Sequence, residues 1–544
     1  MSTLDEQETT RFSRRGLLER AGAGAGAVAL SGGVTGAFSR PVQAAPARSR
    51  FASTGSQTFG RLFPNLPPFA APSSGLNKSL LALGAQGGLL DAQDQLSAGP
   101  INLITDPSLS VNNPDNPTHT AGTTFMGQFI DHDITFDTSS KLGQTTDPFT
   151  SPNGRTPTLD LDSVYGNGPV GSSALYNSSD PAKLLIQSGG LYPDGTSGFE
   201  DLPRLGDGTA IIGDPRNDEH LIIAGLHCAF IKFHNRQVDD ARSAGKTYPH
   251  DFDQARQLTT WHYQWIVLHE FLPLFVGSDM VNDVLQNGRR FYTVGLGQAF
   301  MPVEFQGACY RFGHSMVRPS YRANLKGNNN GSAFFGFIFD PGQNGVASDP
   351  SDLRGGFRAP RRFVGWQTFF DFGTDAGTGN DEVKRNKQVD THISTPLFTL
   401  PLGAIASHDQ PTVLPQRTLL RQVTWSMPSG QAISAAMGIT PMLNPELKKY
   451  GFAMDKSTPL FYYALKEAQV VASGLHLGPV AGRIVAEVLI GLIQSDPNSY
   501  VNANPSWTPT VPVSDATAGF RMVDFLTYAG VDPASRHAAN PAHA

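Results

Sequence analysis

Apolar residues recur at helical spacing in three long segments of the chain. These are EHLIIAGLHCAFIKFHNRQVDDARSAG, FDQARQLTTWHYQWIVLHEFLPLFVG and GPVAGRIVAEVLIGLI. Gly245 and Gly277 suit the ends of the first two helices, because glycine readily adopts the left-handed conformation that follows many helices. Alternating patterns typical of strands are few and short. We therefore predict a mainly α-helical protein, with one large core, long loops and little β-structure.

The first 44 residues have the pattern of an export signal. Arg14 and Arg15 precede a weakly apolar run rich in glycine and alanine, and Val42-Gln43-Ala44 offers small residues for cleavage. Paired arginines followed by two leucines indicate a signal of the twin-arginine type. The alternative is a membrane anchor, but the run contains too much glycine to hold a helix in lipid. We predict that residues 1–44 direct secretion by the twin-arginine export machinery, without a stable membrane anchor.

The remaining chain divides by composition. Residues 45–90 are rich in proline, glycine and serine, which predicts an arm that wraps around a core. Residues 91–530 carry the helical patterns and predict one domain, although a prior of roughly 150 residues per domain would divide the chain into three or four units. Residues 531–544 predict a flexible tail.

Composition and the lack of several motifs exclude whole classes of function. The net charge is −6 and no run of lysine or arginine follows the N-terminus, so nucleic acid is not an expected partner. Cys228 and Cys309 are isolated, which excludes a disulfide framework, a thiolate zinc site and a CxxCH attachment of haem. The sequence also lacks GxSxG, Walker and GxGxxG motifs.

The segment GQFIDHDITF places polar groups among apolar residues. On a helix, Gln128 lies three and four positions before Asp131 and His132, so the three side chains share one face. A lone histidine on such a face is more often a core residue. Here, an amide and carboxylates surround it, and such surroundings tune a group for proton transfer. His132 is therefore a candidate acid–base group.

The segment TPTLDLDSVYG has an oxygen-bearing side chain at every second position. In an extended chain this spacing directs Thr156, Thr158, Asp160 and Asp162 to one side. Hydroxyl and carboxylate oxygens that converge in this way suit a calcium ion, and Asp133 would add a donor from outside the loop. An ordinary solvated edge strand is equally compatible, because the pattern is not that of an EF-hand.

Two further polar clusters adjoin predicted elements. In GDPRNDEH, Arg216 and Glu219 lie three positions apart before a long helix, where the arginine could point into a cleft. Alternatively, Asp214 or Asn217 caps that helix and the other residues are solvated. In CYRFGHSMVRP, His314 lies among aromatic and small residues. A neutral imidazole in that setting binds a metal or haem iron, or packs in the core.

Taken in order along the chain, these segments resemble the animal haem peroxidases of the peroxidase–cyclooxygenase superfamily. The resemblance extends from about Phe59 to Thr527 and rests on GQFIDHD, TLDLDSVYG, GDPRNDEHLIIAGLHCAFIKFHNR, YRFGHSMVRP and GPVAGRIVAE. It implies a large, mainly helical single-domain fold that holds haem b and calcium. It also implies an exported bacterial enzyme that reduces hydrogen peroxide and oxidises small organic or (pseudo)halide electron donors.

The resemblance assigns catalytic and haem-binding roles to matching positions. His132 and Arg216 match the distal catalytic pair, and Gln128 matches a neighbour that holds water or halide. His314 matches the proximal iron ligand, and Arg421 stands for an arginine near a haem propionate. A neutral histidine can take a proton from peroxide and return it, while a fixed arginine stabilises the charge that builds on the departing oxygen.

The resemblance also implies haem attachment and a calcium site. Asp131 and Glu219 match two carboxylates that form ester bonds to haem methyl groups in the mammalian members. The residues that match the calcium site are Asp133, Thr156, Thr158, Asp160 and Asp162.

Two positions depart from the family pattern. Thr418 stands where the family usually has an asparagine that hydrogen-bonds the proximal histidine. His220 stands where the strongest chloride oxidiser of the family has a methionine bonded to haem. We therefore expect bromide, iodide, thiocyanate or phenols, rather than chloride, as donors.

Other functions remain compatible with the sequence. A fatty-acid dioxygenase of the same superfamily would have a tyrosine three residues before His314, where this chain has Arg311, with Tyr310 one position earlier. A non-enzymatic secreted adhesion or binding protein would be expected to have lost His132, Arg216 or His314, and all three are present. A catalase-like use of peroxide would employ the same distal pair.

Overall fold

A computed structural model describes residues 58–191, 197–325, 333–342, 350–356, 362–373 and 383–531 of the chain. The predicted signal peptide, the first part of the predicted arm and almost all of the predicted tail lie outside these described residues. Within the described ranges, no helix combines the length and apolar character that crossing a membrane requires.

Helices make up most of the regular structure, as the sequence predicts. The first nine described helices are α1 (Ser74–Leu83), α2 (Gly99–Thr105), α3 (Ala121–Ile134), α4 (Asp162–Tyr165), α5 (Gly168–Gly171), α6 (Leu221–Ser243), α7 (His250–Ile266), α8 (Leu272–Val276) and α9 (Ser278–Asn287). Those that follow are α10 (Val303–Gly307), α11 (Gly313–Met316), α12 (Leu414–Thr424), α13 (Gly430–Ala436), α14 (Leu460–Val471), α15 (Pro479–Ser495), α16 (Tyr500–Ala503) and α17 (Met522–Tyr528).

The strands are short and form two-stranded pairs. They are β1 (Phe59–Gly60), β2 (Asp115–Thr120), β3 (Tyr176–Asn177), β4 (Asp180–Leu184), β5 (Gln187–Leu191), β6 (Ser197–Asp201), β7 (Met301–Pro302), β8 (Ser320–Arg322), β9 (Phe335–Phe337) and β10 (Arg385–Lys387). β1 pairs with β7 in parallel. The antiparallel pairs are β2 with β10, β3 with β4, β5 with β6, and β8 with β9.

Aromatic stacking fixes the central helices against one another. The rings of Phe129 in α3 and Phe230 in α6 stack with centroids 4.2 Å apart. Phe233, also in α6, stacks on Phe525 of α17 at 4.1 Å. These rings belong to one large cluster of buried apolar side chains, and stacked aromatic pairs contribute strongly to such cores. The helix that carries the GQFIDHD residues is therefore packed against α6.

The three helices expected from the apolar pattern are confirmed. α6 ends at Ser243, shortly before Gly245, whose φ of 83° is left-handed. The second segment forms α7 and α8, joined by one π-helical turn over Val267–Phe271, and Gly277 follows with a φ of 79°. The third forms α15, which is buried along almost its whole length.

Residues 58–90 lie against segments that are distant in sequence. The buried Glu304 carboxylate accepts the backbone N–H groups of Leu62 and Phe63, at 3.0 and 3.2 Å. The Arg61 guanidinium donates to the carbonyls of Trp425 and Ser426. The wrapped arm remains a prediction, because residues 45–57 lie outside the described ranges.

Candidate active site

A cavity of about 1380 Å³, counted with its open mouth, lies between α3 and the segment around α11. Seven residues predicted to be catalytic or to bind haem all line it: Gln128, Asp131, His132, Arg216, Glu219, His314 and Arg421. The structure therefore brings together side chains that are separated by up to about 290 positions in the sequence. Apolar side chains, among them Phe271, Phe275 and Leu400, form other parts of the wall.

The His132 imidazole projects from α3 and is only 4% exposed. Its Nδ1 atom lies 2.8 Å from Oδ1 of Asn217. Burial, assisted by the positive charge of Arg216, lowers the pKa of His132 to about 3. At neutral pH, His132 is therefore an uncharged group that can accept a proton.

The Arg216 guanidinium is fixed by a buried carboxylate. Its Nε and Nη2 atoms donate to the two oxygens of Asp214, at 3.0 and 2.7 Å. Nη2 also donates to the backbone carbonyls of His132 and Thr135. Burial would raise the pKa of Asp214, but Arg216 and then Arg155 hold it below its usual range. The arginine is thus charged and oriented before any ligand arrives.

The Gln128 amide is held at both ends. Its Nε2 atom donates to Oε2 of Glu219 at 3.1 Å, and its Oε1 atom lies 2.8 Å from Nε2 of His220. Nδ1 of His220 accepts the backbone N–H of Ile223 and so caps α6, which leaves Nε2–H as the donor to Gln128. Burial raises the pKa of Glu219 to about 8. The distal wall is therefore preorganised on both sides of His132.

The proposed proximal residue His314 lies in the short helix α11. Its Nδ1 atom is 3.3 Å from Oγ1 of Thr418, and the same hydroxyl is within 3.2 Å of the Leu414 carbonyl. Burial lowers the pKa of His314 well below its usual value, so the ring is neutral. Thr418 is thus the hydrogen-bonding partner of this histidine.

Two arginines give one end of the cavity a positive character. Arg421 pairs with Asp137 at 2.9 Å. Arg311 donates through Nε to the Gln306 carbonyl, and burial with the nearby charge of Arg421 lowers its pKa to about 9. A buried guanidinium whose charge is disfavoured in this way is stabilised by an anionic ligand.

These features fit haem. The cavity offers a neutral imidazole at His314 for iron, apolar walls for a flat macrocycle, and the guanidinium groups of Arg311 and Arg421 for two propionates. Arg311 lines the cavity, and its Nε atom donates to the Gln306 carbonyl and not to a carboxylate, so its guanidinium suits an anionic ligand.

The predicted calcium residues converge next to this cavity. Ligand oxygens of Asp133, Asp160 and Asp162 all lie within 4.8 Å of one another. Oγ1 of Thr156 donates to Asp160 at 2.8 Å and lies 3.2 Å from Oγ1 of Thr158. Burial and the neighbouring carboxylates raise the pKa of Asp162 to about 7 and that of Asp133 well above its usual value. A divalent cation would relieve this repulsion.

The local geometry of that segment differs from the sequence expectation. Residues 155–161 are irregular rather than extended, and α4 begins at Asp162. Leu161 has a left-handed φ of 60°, which turns the chain so that Asp160 and Asp162 both face Asp133. The solvated edge strand is therefore wrong, because a turn, and not a strand period, brings the oxygens together.

Arg216 lines the cavity, as one alternative proposed, whereas neither Asp214 nor Asn217 caps α6, as the other alternative required. Asp214 caps the short 3-10 turn Pro215–Asp218, whereas His220 caps α6. Asn217, expected at a helix start, is instead fully buried against His132. Sequence reasoning missed this contact, together with Arg155 and Arg311, because no periodic pattern marks their partners. The polarity of GDPRNDEH is the one signal that pointed to this region.

Comparisons with known proteins find sequence similarity to haem peroxidases over part of the chain. The family described as animal haem peroxidase matches residues 140–341. A chorion peroxidase of Aedes aegypti is 29% identical over 185 residues, which are 30% of this chain and 22% of that protein. The chain spans similarly small parts of other curated relatives.

Solved structures share the fold over most of the chain. Peroxidase A from Dictyostelium discoideum has a TM-score of 0.55 at 14% identity and covers 87% of this chain and 93% of its own. A fatty acid alpha-dioxygenase from Arabidopsis thaliana has a TM-score of 0.52 at 14% identity, with 90% and 79% covered. Over residues 140–341 the chain is therefore similar in sequence to the animal haem peroxidase family, and its mainly helical fold is similar to that of these solved structures.

Proposed function

We propose that this protein is a haem peroxidase that reduces hydrogen peroxide and oxidises small electron donors. The observation that carries the proposal is the placement of His132 and Arg216 in one cavity with His314. His132 is held neutral, Arg216 is held charged, and both are fixed by buried partners. This is the arrangement that proton transfer and charge stabilisation at one peroxide molecule require.

His314 would hold the haem iron through Nε2, because Nδ1 faces Thr418. Arg311 and Arg421 would meet the propionates. When bound, haem b supplies the iron that passes electrons from donors to peroxide. Asp131 and Glu219 line the same cavity and are the candidates for ester bonds to haem methyl groups.

Each distal residue has a defined task in the reaction. The neutral His132 takes a proton from one peroxide oxygen and returns it to the other. Arg216 stabilises the negative charge on the departing oxygen, and its fixed orientation means that it need not reorganise. Gln128 gives one amide N–H to Glu219, so its second N–H is the one that holds water or a halide.

The donors are small organic molecules or (pseudo)halides. His220 donates to Gln128 and lies where a haem-bonded methionine supports chloride oxidation in a relative. Bromide, iodide, thiocyanate and phenols are therefore the expected donors.

Calcium would bind through Asp133, Thr156, Thr158, Asp160 and Asp162. The three carboxylates gather at short range although burial disfavours their charge, which supports a cation site. Asp133 directly follows His132 on α3, so the ion would hold the helix turn that carries the distal histidine.

The proposal also includes export of the protein from the cell. A twin-arginine signal over residues 1–44 would carry the chain, folded and loaded with haem, to an extracellular location in a bacterium.

A fatty-acid dioxygenase is the second candidate, because the fold likeness to the plant enzyme is almost as strong as that to a peroxidase. The Tyr310 hydroxyl donates to the Gly127 carbonyl and Arg311 occupies the position of the radical tyrosine. Oxygen uptake with an unsaturated fatty acid, without added peroxide, would favour the dioxygenase. A protein with full haem that reacts with neither peroxide nor fatty acid would favour the adhesion or binding role.

The proximal assignment has its own test. In His314→Ala, haem or its histidine-ligated absorption spectrum should be lost, because the variant lacks the imidazole that would hold the iron. An unchanged spectrum would contradict the assignment of His314.

A further inference from the structure

We propose that Asn217 is a positioning residue that keeps a proton on Nδ1 of His132. His227 accepts a hydrogen bond from the Asn217 amide and so holds that amide in place. Nε2 of His132 is then the nitrogen that accepts a proton in the cavity. The inference rests on the proposed function for its consequence in catalysis. Its structural content, which nitrogen of His132 carries the proton, can be tested separately.

His132, Asn217 and His227 form a buried series of hydrogen bonds. Oδ1 of Asn217 lies 2.8 Å from Nδ1 of His132, and Nδ2 of Asn217 lies 3.0 Å from Nδ1 of His227. Asn217 is fully buried, and His227 is 1% exposed. His227 projects from α6 and meets the ring of Phe129 edge-on at 6.4 Å. These hydrogen bonds thus connect the turn before α6, α6 itself and α3.

The direction of each hydrogen bond follows from the chemistry of the amide. An amide oxygen only accepts hydrogen bonds, so His132 must donate from Nδ1 to Oδ1 of Asn217. The amide nitrogen only donates, so Nδ1 of His227 must be the acceptor. A neutral imidazole carries one proton, and with Nδ1 protonated, Nε2 of His132 keeps its lone pair.

This assignment matters because His132, Asn217 and His227 are buried away from bulk water. In water both tautomers of a neutral imidazole are populated, and a buried ring takes the one that its neighbour satisfies. If Nε2 carried the proton, it could donate to peroxide but could not accept the proton that begins the reaction. Asn217 therefore acts through His132 and does not itself touch the reactants.

Neighbouring contacts do not duplicate this role. Arg216 donates a hydrogen bond to the backbone carbonyl of His132 and not to its imidazole ring. Gln128 is engaged by Glu219 and His220. Within the described residues, Asn217 is the side chain that is hydrogen-bonded to the His132 imidazole.

The test compares Asn217→Ala with Asn217→Asp in the haem-loaded protein. Asn217→Asp keeps an acceptor oxygen for Nδ1, whereas Asn217→Ala removes it. Nitrogen-15 NMR of the histidine-labelled ferrous carbon monoxide complex reports which ring nitrogen is protonated, and the His132→Gln spectrum identifies the signal. Asn444→Ala serves as the control, because Asn444 is also fully buried but does not line this cavity.

We expect a protonated Nδ1 in the wild type and in Asn217→Asp, and a changed or averaged signal in Asn217→Ala. The second-order rate with peroxide should fall about tenfold or more in Asn217→Ala and recover in Asn217→Asp, a part of the effect usual for general acid–base catalysis. An Asn217→Ala protein with the wild-type NMR signal, or a wild type protonated at Nε2, would overturn the inference. The predicted NMR pattern without any peroxide reaction would instead contradict the proposed function alone.

Discussion

His132 and Asp133 are adjacent in α3, yet their side chains belong to two different sites. The imidazole lines the large cavity, whereas the carboxylate is fully buried among Asp160 and Asp162 on the opposite side. A single peptide unit therefore connects the two sites. A second connection runs through Arg155, which contacts Asp162 at 3.5 Å and Asp214, the anchor of Arg216, at 2.8 Å.

This adjacency predicts that removal of calcium disturbs haem. Chelation of calcium from the holoprotein should shift the Soret band and slow the peroxide reaction, because Asp133 no longer fixes the helix turn of His132. Asp133→Asn should reproduce the effect without a chelator. Added calcium should restore the chelated wild type but not the variant. Complete insensitivity of both spectrum and rate to chelation would contradict a calcium site at Asp133.

The acidic cluster also predicts how stability depends on pH. In Asp162 the pKa rises from 3.8 to about 7 on folding, and the pKa of Asp133 and Asp160 rises too. Without a cation, the native state then binds more protons than the unfolded state between pH 3.8 and about 7. The free energy of unfolding should therefore fall as pH rises through this window.

Urea unfolding of chelated and calcium-loaded protein at several pH values checks this prediction. With calcium bound, the carboxylates are ionised in both states, so the cluster should add no such fall. The informative quantity is the difference between the two curves, since other buried carboxyl groups contribute equally to both. Parallel curves across the window would count against the cluster as a cation site.

Thr418 should tune the haem iron. Its hydroxyl is directed to the Leu414 carbonyl, so it accepts from Nδ1–H of His314 and increases the electron density of that ligand. In Thr418→Val, which removes the acceptor at similar volume, the reduction potential of the iron should rise. Spectroelectrochemical titration measures it, with Thr418→Ser as the control that retains the hydroxyl. Equal potentials in wild type and Thr418→Val would show that the contact has no influence.

Arg216 should be needed for the reaction and not for haem. In Arg216→Ala, the peroxide reaction should slow by about 100-fold or more, since a fixed charge at the departing oxygen is lost. Haem content should stay near that of the wild type, because His314 lies on the other side of the cavity. Stopped-flow absorption measures the rate, with Arg417→Ala as a matched loss of another arginine that lines the cavity and is bonded to Asp409. A normal rate in Arg216→Ala would refute its catalytic role.

The sequence predicts those features that a regular period or a family motif encodes. α6 and α15 follow directly from apolar spacing, and the resemblance to known motifs identifies Gln128, His132 and Arg216 as neighbours. A motif encodes the residue but not the contact that orients it. The roles of these residues remain predictions that the experiments above address.

Sequence patterns do not predict the contacts that depend on tertiary packing. The partnership of Asn217 with His132 depends on how the turn before α6 docks against α3, and no local pattern reports that docking. Likewise, Leu161 takes a left-handed conformation that an alternating sequence does not predict. The expected extended strand failed there because the surrounding fold imposes a turn on a segment of strand-like composition.

The central claim is that this cavity activates hydrogen peroxide. The most direct measurement is the visible absorption spectrum of the purified mature protein, before and after one equivalent of hydrogen peroxide. We predict a Soret band that falls quickly and recovers when bromide or a phenol is added. A Soret band that does not change when peroxide is added would contradict the claim that this cavity activates hydrogen peroxide. The lack of a Soret band in haem-replete material would contradict it as well.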